Sequence, residues 1–308
     1  MLENIAQLKK LETAEYNAIV EGVKGHQELA DIWQEPYPEY ASAGLKVATL
    51  LNPTGEQENF DYRDCKKPMA TPLLDELKAI GQFFENSNLH IMGARLLRLE
   101  PGTFLHEHRD FIYLEEVERY RLHLPVITNA RAHIVSPDTN VHFKAGYLWK
   151  LDPKNTIHSA CNFGGEPRIH LMLDCYMNDA LKTLLAGQFL DEDACTVKPA
   201  FTTEDKETAF AIASQIIAQG KDNLTKAEEI ILSLFCRFNL YSLQKGLTTY
   251  DLLAEFFDRE ANGPNSGKNK IDAAFFAERK TYWDERLVET YPERKNLSLA
   301  DLDNLVTV

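Results

Sequence analysis

Arg-Ile-His-Leu-Met-Leu-Asp, residues 168–174, is the stretch on which the fold turns. In an extended chain successive side chains point to opposite faces, so Arg168, His170 and Asp174 share one face. Ile169, Leu171 and Leu173 share the other, which suits the buried side of a sheet. Arg121-Leu-His123-Leu-Pro125 alternates in the same way. Outward from these two runs, His90 to Met177 consists of short apolar or alternating segments. Turn signals separate them: Pro101-Gly102, Asn129, Pro137-Asp138, Ala145-Gly146, Pro153-Lys154-Asn155 and Gly164-Gly165. Several short strands at this spacing predict a β-sandwich or jelly roll.

The flanks read differently. Residues 1–35 look helical until Pro36 and Pro38 break the pattern. Residues 45–51 read as a strand closed by Asn52-Pro53-Thr54-Gly55. A helix is expected from about Thr71 to Asn86, opened by Thr71-Pro72, with Leu73, Leu74, Leu77, Ile80, Phe83 and Phe84 as its apolar stripe. Past residue 200, Thr202, Thr225 and Thr248 each stand three positions before an acid that leads into an apolar run, the capping-box pattern. They predict helices over 203–219, 226–240 and 249–259, with a last helix from about Ile271. The fold class that results is α+β, mainly β with helices. A β core with N-terminal helices spans 1–185 and a small helical domain spans 200–308. Ile230, Ile231, Leu234 and Phe235 form a stripe that is either core or the surface of a homodimer.

Composition narrows the function classes. Of 308 residues, 44% are hydrophobic and 26% charged, ordinary values for a globular chain. Acids outnumber bases 47 to 33, a net charge of −14, which disfavours a nucleic-acid partner. Five widely spaced cysteines without a CxxC argue against a disulfide framework or a Cys-rich zinc site and for a reducing compartment. The first residues lack a signal-peptide core, and no apolar run reaches membrane-spanning length. The expectation is a cytoplasmic protein with no membrane partner.

Chemistry concentrates in Leu-His-Glu-His-Arg-Asp-Phe, 105–111. On a strand His106, His108 and Asp110 would share a face, and such groups are costly to bury unless a metal satisfies them. Two His and one carboxylate leave coordination positions open, the arrangement non-haem iron(II) oxygenases use. His108 and Asp110 supply two ligands; among the later histidines His158 is the best third, because a strand and a turn precede it and return the chain. Ten residues on, Arg168 offers a bidentate cation for the far carboxylate of 2-oxoglutarate. Arg121 and His123, on one face of an apolar strand, are candidates for its other carboxylate. Arg95 is a candidate for a substrate carboxylate, and His106 for a wall of the substrate pocket.

The HxD motif, the distal His, the Arg beyond it and the intervening Arg-x-His-x-Pro resemble the aspartyl/asparaginyl β-hydroxylase-like oxygenases. Within them the chain is most similar to the bacterial L-proline 3-hydroxylase type. The matching stretches are 95–102, 108–111, 121–124, 146–152 and 158–163. The resemblance implies a double-stranded β-helix fold. It also implies iron(II) on His108, Asp110 and His158, and 2-oxoglutarate on Arg168 with Arg121 and His123. The implied reaction is hydroxylation, by O2, of an unactivated carbon in a free amino acid, proline or a relative, with succinate and CO2 released. Two alternatives remain: an Asp, Asn or other residue in a peptide or natural product as substrate, and a cupin-like metal protein using Gly102, His106, His108, Glu115 and a later His.

Overall fold

Alternation in the central segment becomes two antiparallel β-sheets in the computed structural model of the protein. It describes residues 3–26, 30–37, 44–61, 63–112, 114–263, 266–267, 271–297, 299 and 301. The strands are β1 (Ile5–Lys10), β2 (Leu45–Asn52), β3 (Met69–Ala70), β4 (His90–Leu99), β5 (Thr103–Phe104), β6 (Arg119–Ile127), β7 (Ala132–Val135), β8 (Thr139–Val141), β9 (Tyr147–Leu151), β10 (Ser159–Asn162), β11 (Arg168–Tyr176) and β12 (Cys195–Val197). The larger sheet has the order β1-β9-β6-β11-β4-β2-β3, and the smaller β12-β8-β7-β10-β5. The turns at Pro101-Gly102 and Ala145-Gly146 form as read, with φ of 76° at Gly102 and 77° at Gly146, where a side chain would be strained.

The chain divides into two compact units. The first comprises Met1–Leu105, Arg109–Ile134 and Val141–Thr196; the second comprises His106–His108, Val135–Asn140 and Val197–Val308. In the first unit, helices α1 (Thr13–His26), α2 (Pro72–Glu76), α3 (Lys78–Ser87) and α4 (Asp179–Ala186) supply Ile19, Val23, Leu74, Ile80 and Leu181 to a core. The sheet answers with Ala94, Leu96, Leu122, Leu124, Ile169, Leu171 and Leu173. The second unit holds α5 (Thr203–Ile217), α6 (Leu224–Leu232), α7 (Leu234–Arg237), α8 (Thr249–Ala261) and α9 (Ala273–Thr290). Among the described residues no helix is long and apolar enough to cross a membrane.

Three sequence expectations are corrected. Residues 1–35 are not all helix: Ile5–Lys10 is a strand, because Ile5, Ala6 and Gln7 are buried in register with Leu151, Lys150 and Trp149 of β9. Thr225 does not cap its helix, which starts at Leu224 after a short 3-10 turn and ends at Leu232. The capping boxes at Thr202 and Thr248 do form. The third correction concerns 105–111, which is no strand. Only His108 makes a bridge there, and Phe111 has φ 65°, outside any extended run. Of the stripe read as core or dimer surface, Ile231, Leu234 and Phe235 are buried and Ile230 is half-buried.

Candidate metal centre and anion pocket

Without a strand to align them, the side chains of 105–111 are placed by the segment that runs alongside. Leu105 N–H donates to the Ala160 carbonyl (2.7 Å), the Ser159 hydroxyl donates to the Leu105 carbonyl (2.5 Å), and Asp110 N–H donates to the Pro153 carbonyl (3.0 Å). This lacing brings His108, Asp110 and His158 together, with one ligand atom from each lying within 4.8 Å of the others. His158 Nε2 is 3.7 Å from Asp110 Oδ2.

Both imidazoles are oriented in the same way. His108 Nδ1 donates to the His106 carbonyl (2.9 Å) and His158 Nδ1 to the Thr156 carbonyl (3.0 Å). A carbonyl only accepts, so each Nδ1 carries the proton and each Nε2 keeps its lone pair for a metal. Asp110 is held by Arg121, whose guanidinium also donates from Nε to Asp174 (2.8 Å). Arg121 therefore has another occupation than the 2-oxoglutarate carboxylate expected of it: it orients a candidate ligand. Two imidazoles and one carboxylate, each fixed by an outer partner, fit a first-row divalent metal.

His106 does not join this group. Its Nδ1 lies 3.2 Å from the Tyr250 hydroxyl, and its ring stands edge-on to Tyr250 and Trp283. The shared face with His108 and Asp110 disappears because 105–111 is a loop.

Next to the triad, alternate residues of β6 and β11 build a second polar cluster. Arg168 is 3% exposed, and no carboxylate among the described residues pairs with it. Its Nε and Nη2 lie 3.1 and 2.8 Å from the His170 ring nitrogens. Burial lowers the Arg168 guanidinium pKa to about 10. His123, 3% exposed, packs against His170 and Phe143 at ring distances of 5.5 and 5.7 Å, and neither of its nitrogens has a hydrogen-bond partner. Burial first, then the Arg168 charge, pushes both His123 and His170 well below the usual imidazole range, so both rings are neutral. A buried cation without a counter-charge, beside an imidazole without a partner, is an energetic debt that a bound anion would settle. A dicarboxylate such as 2-oxoglutarate has the right charge.

Arg95 faces the same side of the sheet, in register with Met172, and is held by the Tyr37 hydroxyl and the Phe60 carbonyl (3.1 Å). A cleft of about 450 Å³ opens beside the metal loop, lined by Phe111, Arg119, Tyr120, Asp152 and Lys154 among others. Its walls include both neighbours of Pro153, the residue that anchors Asp110.

Two residues escaped the sequence reading as parts of the site. Asp174 was visible on the polar face of 168–174, but its pairing with Arg121 was not. Glu107, between two of the histidines, is 1% exposed and accepts hydrogen bonds on both carboxylate oxygens. Its partners are 142 to 184 residues away, beyond any local pattern.

The fold and the donor set define a class: antiparallel sheets carrying a two-histidine, one-carboxylate cluster beside a buried cation. The chain belongs to the aspartyl/asparaginyl β-hydroxylase family, whose model matches residues 15–178. It is 32% identical over 149 residues to L-proline cis-3-hydroxylase 2 of a Streptomyces species, covering 46% of this chain and 50% of that one. It is 30% identical over 141 residues to L-proline cis-4-hydroxylase of Rhizobium meliloti (strain 1021), covering 45% and 50%. With L-proline cis-3-hydroxylase 1 of Streptomyces it shares 30% identity over 237 residues, 71% of this chain and 74% of that one. The first two alignments thus span half the length of those relatives.

Proposed function

We propose that this protein is an iron(II)- and 2-oxoglutarate-dependent hydroxylase of a small free amino acid, proline or a close relative. The observation that carries the reading is the pairing of the His108, Asp110 and His158 cluster with the buried, uncompensated Arg168. The consecutive strands β4 to β11 supply the orders β9-β6-β11-β4 and β8-β7-β10-β5, which we read as a double-stranded β-helix.

In this mechanism His108 and His158 present Nε2, and Asp110 a carboxylate oxygen, to iron(II). Bound iron with 2-oxoglutarate and O2 supplies the oxidising power for C–H hydroxylation, with succinate and CO2 as co-products. The chain itself orients and excludes. Arg121 keeps Asp110 turned toward the metal. Arg168 takes the far carboxylate of 2-oxoglutarate, and neutral His123 stands by as a hydrogen-bond partner. Phe143, stacked on Trp149 at 4.4 Å, packs against both His123 and His170 and keeps water from that side of the rings.

Two observations support the substrate class. The relatives named above are proline hydroxylases. Arg95, on the ligand-bearing face, is the candidate for an α-carboxylate. The cupin-like alternative needs His106 as a ligand, and the turn of His106 toward Tyr250 and Trp283 counts against it.

The test is succinate formation with iron(II), 2-oxoglutarate and a panel of free amino acids and peptides. Free L-proline or an analogue is expected to stimulate turnover, and Arg95→Ala to raise its KM. Stimulation by peptides alone would replace the substrate and keep the enzyme class. No succinate under any condition would overturn the class.

A further inference from the structure

Glu107 sits between His106 and the candidate ligand His108, and the mechanism above gives it nothing to do. Its carboxylate is nonetheless a fully built anchor. Oε1 accepts from the Thr249 N–H (2.6 Å) and the Thr249 hydroxyl (2.5 Å), and Oε2 accepts from the Tyr291 hydroxyl (2.8 Å). The Glu107 main-chain carbonyl accepts from the Tyr250 hydroxyl. Thr249 is the first residue of α8, where free N–H groups and the helix dipole favour an anion. His106–His108 and α8 belong to the same compact unit.

A spacer between two histidines has no need of this. Burying a carboxylate is expensive, and a solvent-facing side chain would serve a loop as well. What the anchor fixes is the backbone of 106–107, and the His106 carbonyl is the acceptor that holds His108 Nδ1. We propose that Glu107 is a positioning residue for the metal centre: docked on the start of α8 and on Tyr291, it locks the His106 carbonyl against His108 Nδ1 and so aims Nε2 at the metal. The proposal rests on the triad reading.

The test uses the full chain, freed of metal, with cobalt(II) as the probe. Glu107→Gln keeps the shape but sets an amide N–H against a donor. Tyr291→Phe removes one donor without touching 106–108. Cobalt(II) affinity, the visible spectrum of the cobalt(II) form and the thermal midpoint of the metal-free protein are measured for each. Glu107→Gln is expected to weaken cobalt(II) binding about 10- to 100-fold, the usual cost of losing an outer partner of a ligand, and to alter the spectrum. Tyr291→Phe is expected to shift both in the same direction by less. If both variants bind cobalt(II) as the wild type does with an unchanged spectrum, the anchor is only structural and the proposal is overturned, whatever the thermal midpoints do. If Glu107→Gln does not fold, Tyr291→Phe decides alone. A wild type that takes up no cobalt(II) would overturn the triad itself, and this proposal with it.

Discussion

The larger sheet has two faces made from the same strands, and they are opposites. On one, Ile169, Leu171 and Leu173 of β11 and Leu122 and Leu124 of β6 are buried against helices. On the other, one residue along, stand Arg168, His170 and Asp174 and Arg121 and His123, just as deeply buried. The apolar face gains free energy by leaving water. The polar face loses it, and recovers only part through Arg121–Asp174 and Arg168–His170. The lesson is that burial alone does not distinguish a core from a site; what distinguishes them is whether each buried group finds its partner within the protein.

This contrast can be broken from either side. Asp110→Ala should have the largest effect, abolishing turnover and weakening metal uptake by more than the ~10- to 100-fold typical of an outer partner's loss. A metal titration of the variant checks it. Next comes Arg168→Ala, which should raise the 2-oxoglutarate requirement by about 2–5 kcal/mol while leaving metal affinity unchanged. An unchanged 2-oxoglutarate affinity would take Arg168 out of the site.

His123→Leu sharpens the contrast, because it converts one position of the polar face into the apolar kind. Removing a buried imidazole with no partner should stabilise the ligand-free protein by about 1–2 kcal/mol and weaken 2-oxoglutarate binding. Denaturant unfolding of the ligand-free protein gives the first number, and a 2-oxoglutarate titration the second. The smallest effect belongs to the apolar face: Ile169→Val should cost about 0.5–1.5 kcal/mol of stability and leave both affinities alone.

The alternation of 168–174 and 121–125 could be read because period-two patterning is local, and the polar and apolar sets fall on the faces that the spacing indicates. Helices α5 and α8 are legible from their capping boxes, which span four residues each. What failed was whatever depended on distant partners. Ile5–Lys10 carries no marked alternation, and only its pairing with β9, some 140 residues on, makes it a strand. His108 and Asp110 could be singled out from residue type and spacing, but the reason given, a shared strand face, was incorrect. A loop laced to Pro153 and Ala160 brings them together, and the same loop sends His106 toward Tyr250. Arg121 was assigned to the co-substrate because the sequence does not show that Asp110 and Asp174 both reach its guanidinium.

The most direct test of the account is calorimetric titration of 2-oxoglutarate, without O2, into metal-free and metal-loaded wild-type protein and into metal-loaded Arg168→Ala. The account predicts one tight site per chain in the metal-loaded wild type, much weaker binding without metal, and weak binding in the variant. Equal 2-oxoglutarate affinity in all three samples would contradict it, since the uncompensated cation and the triad would then not form one site.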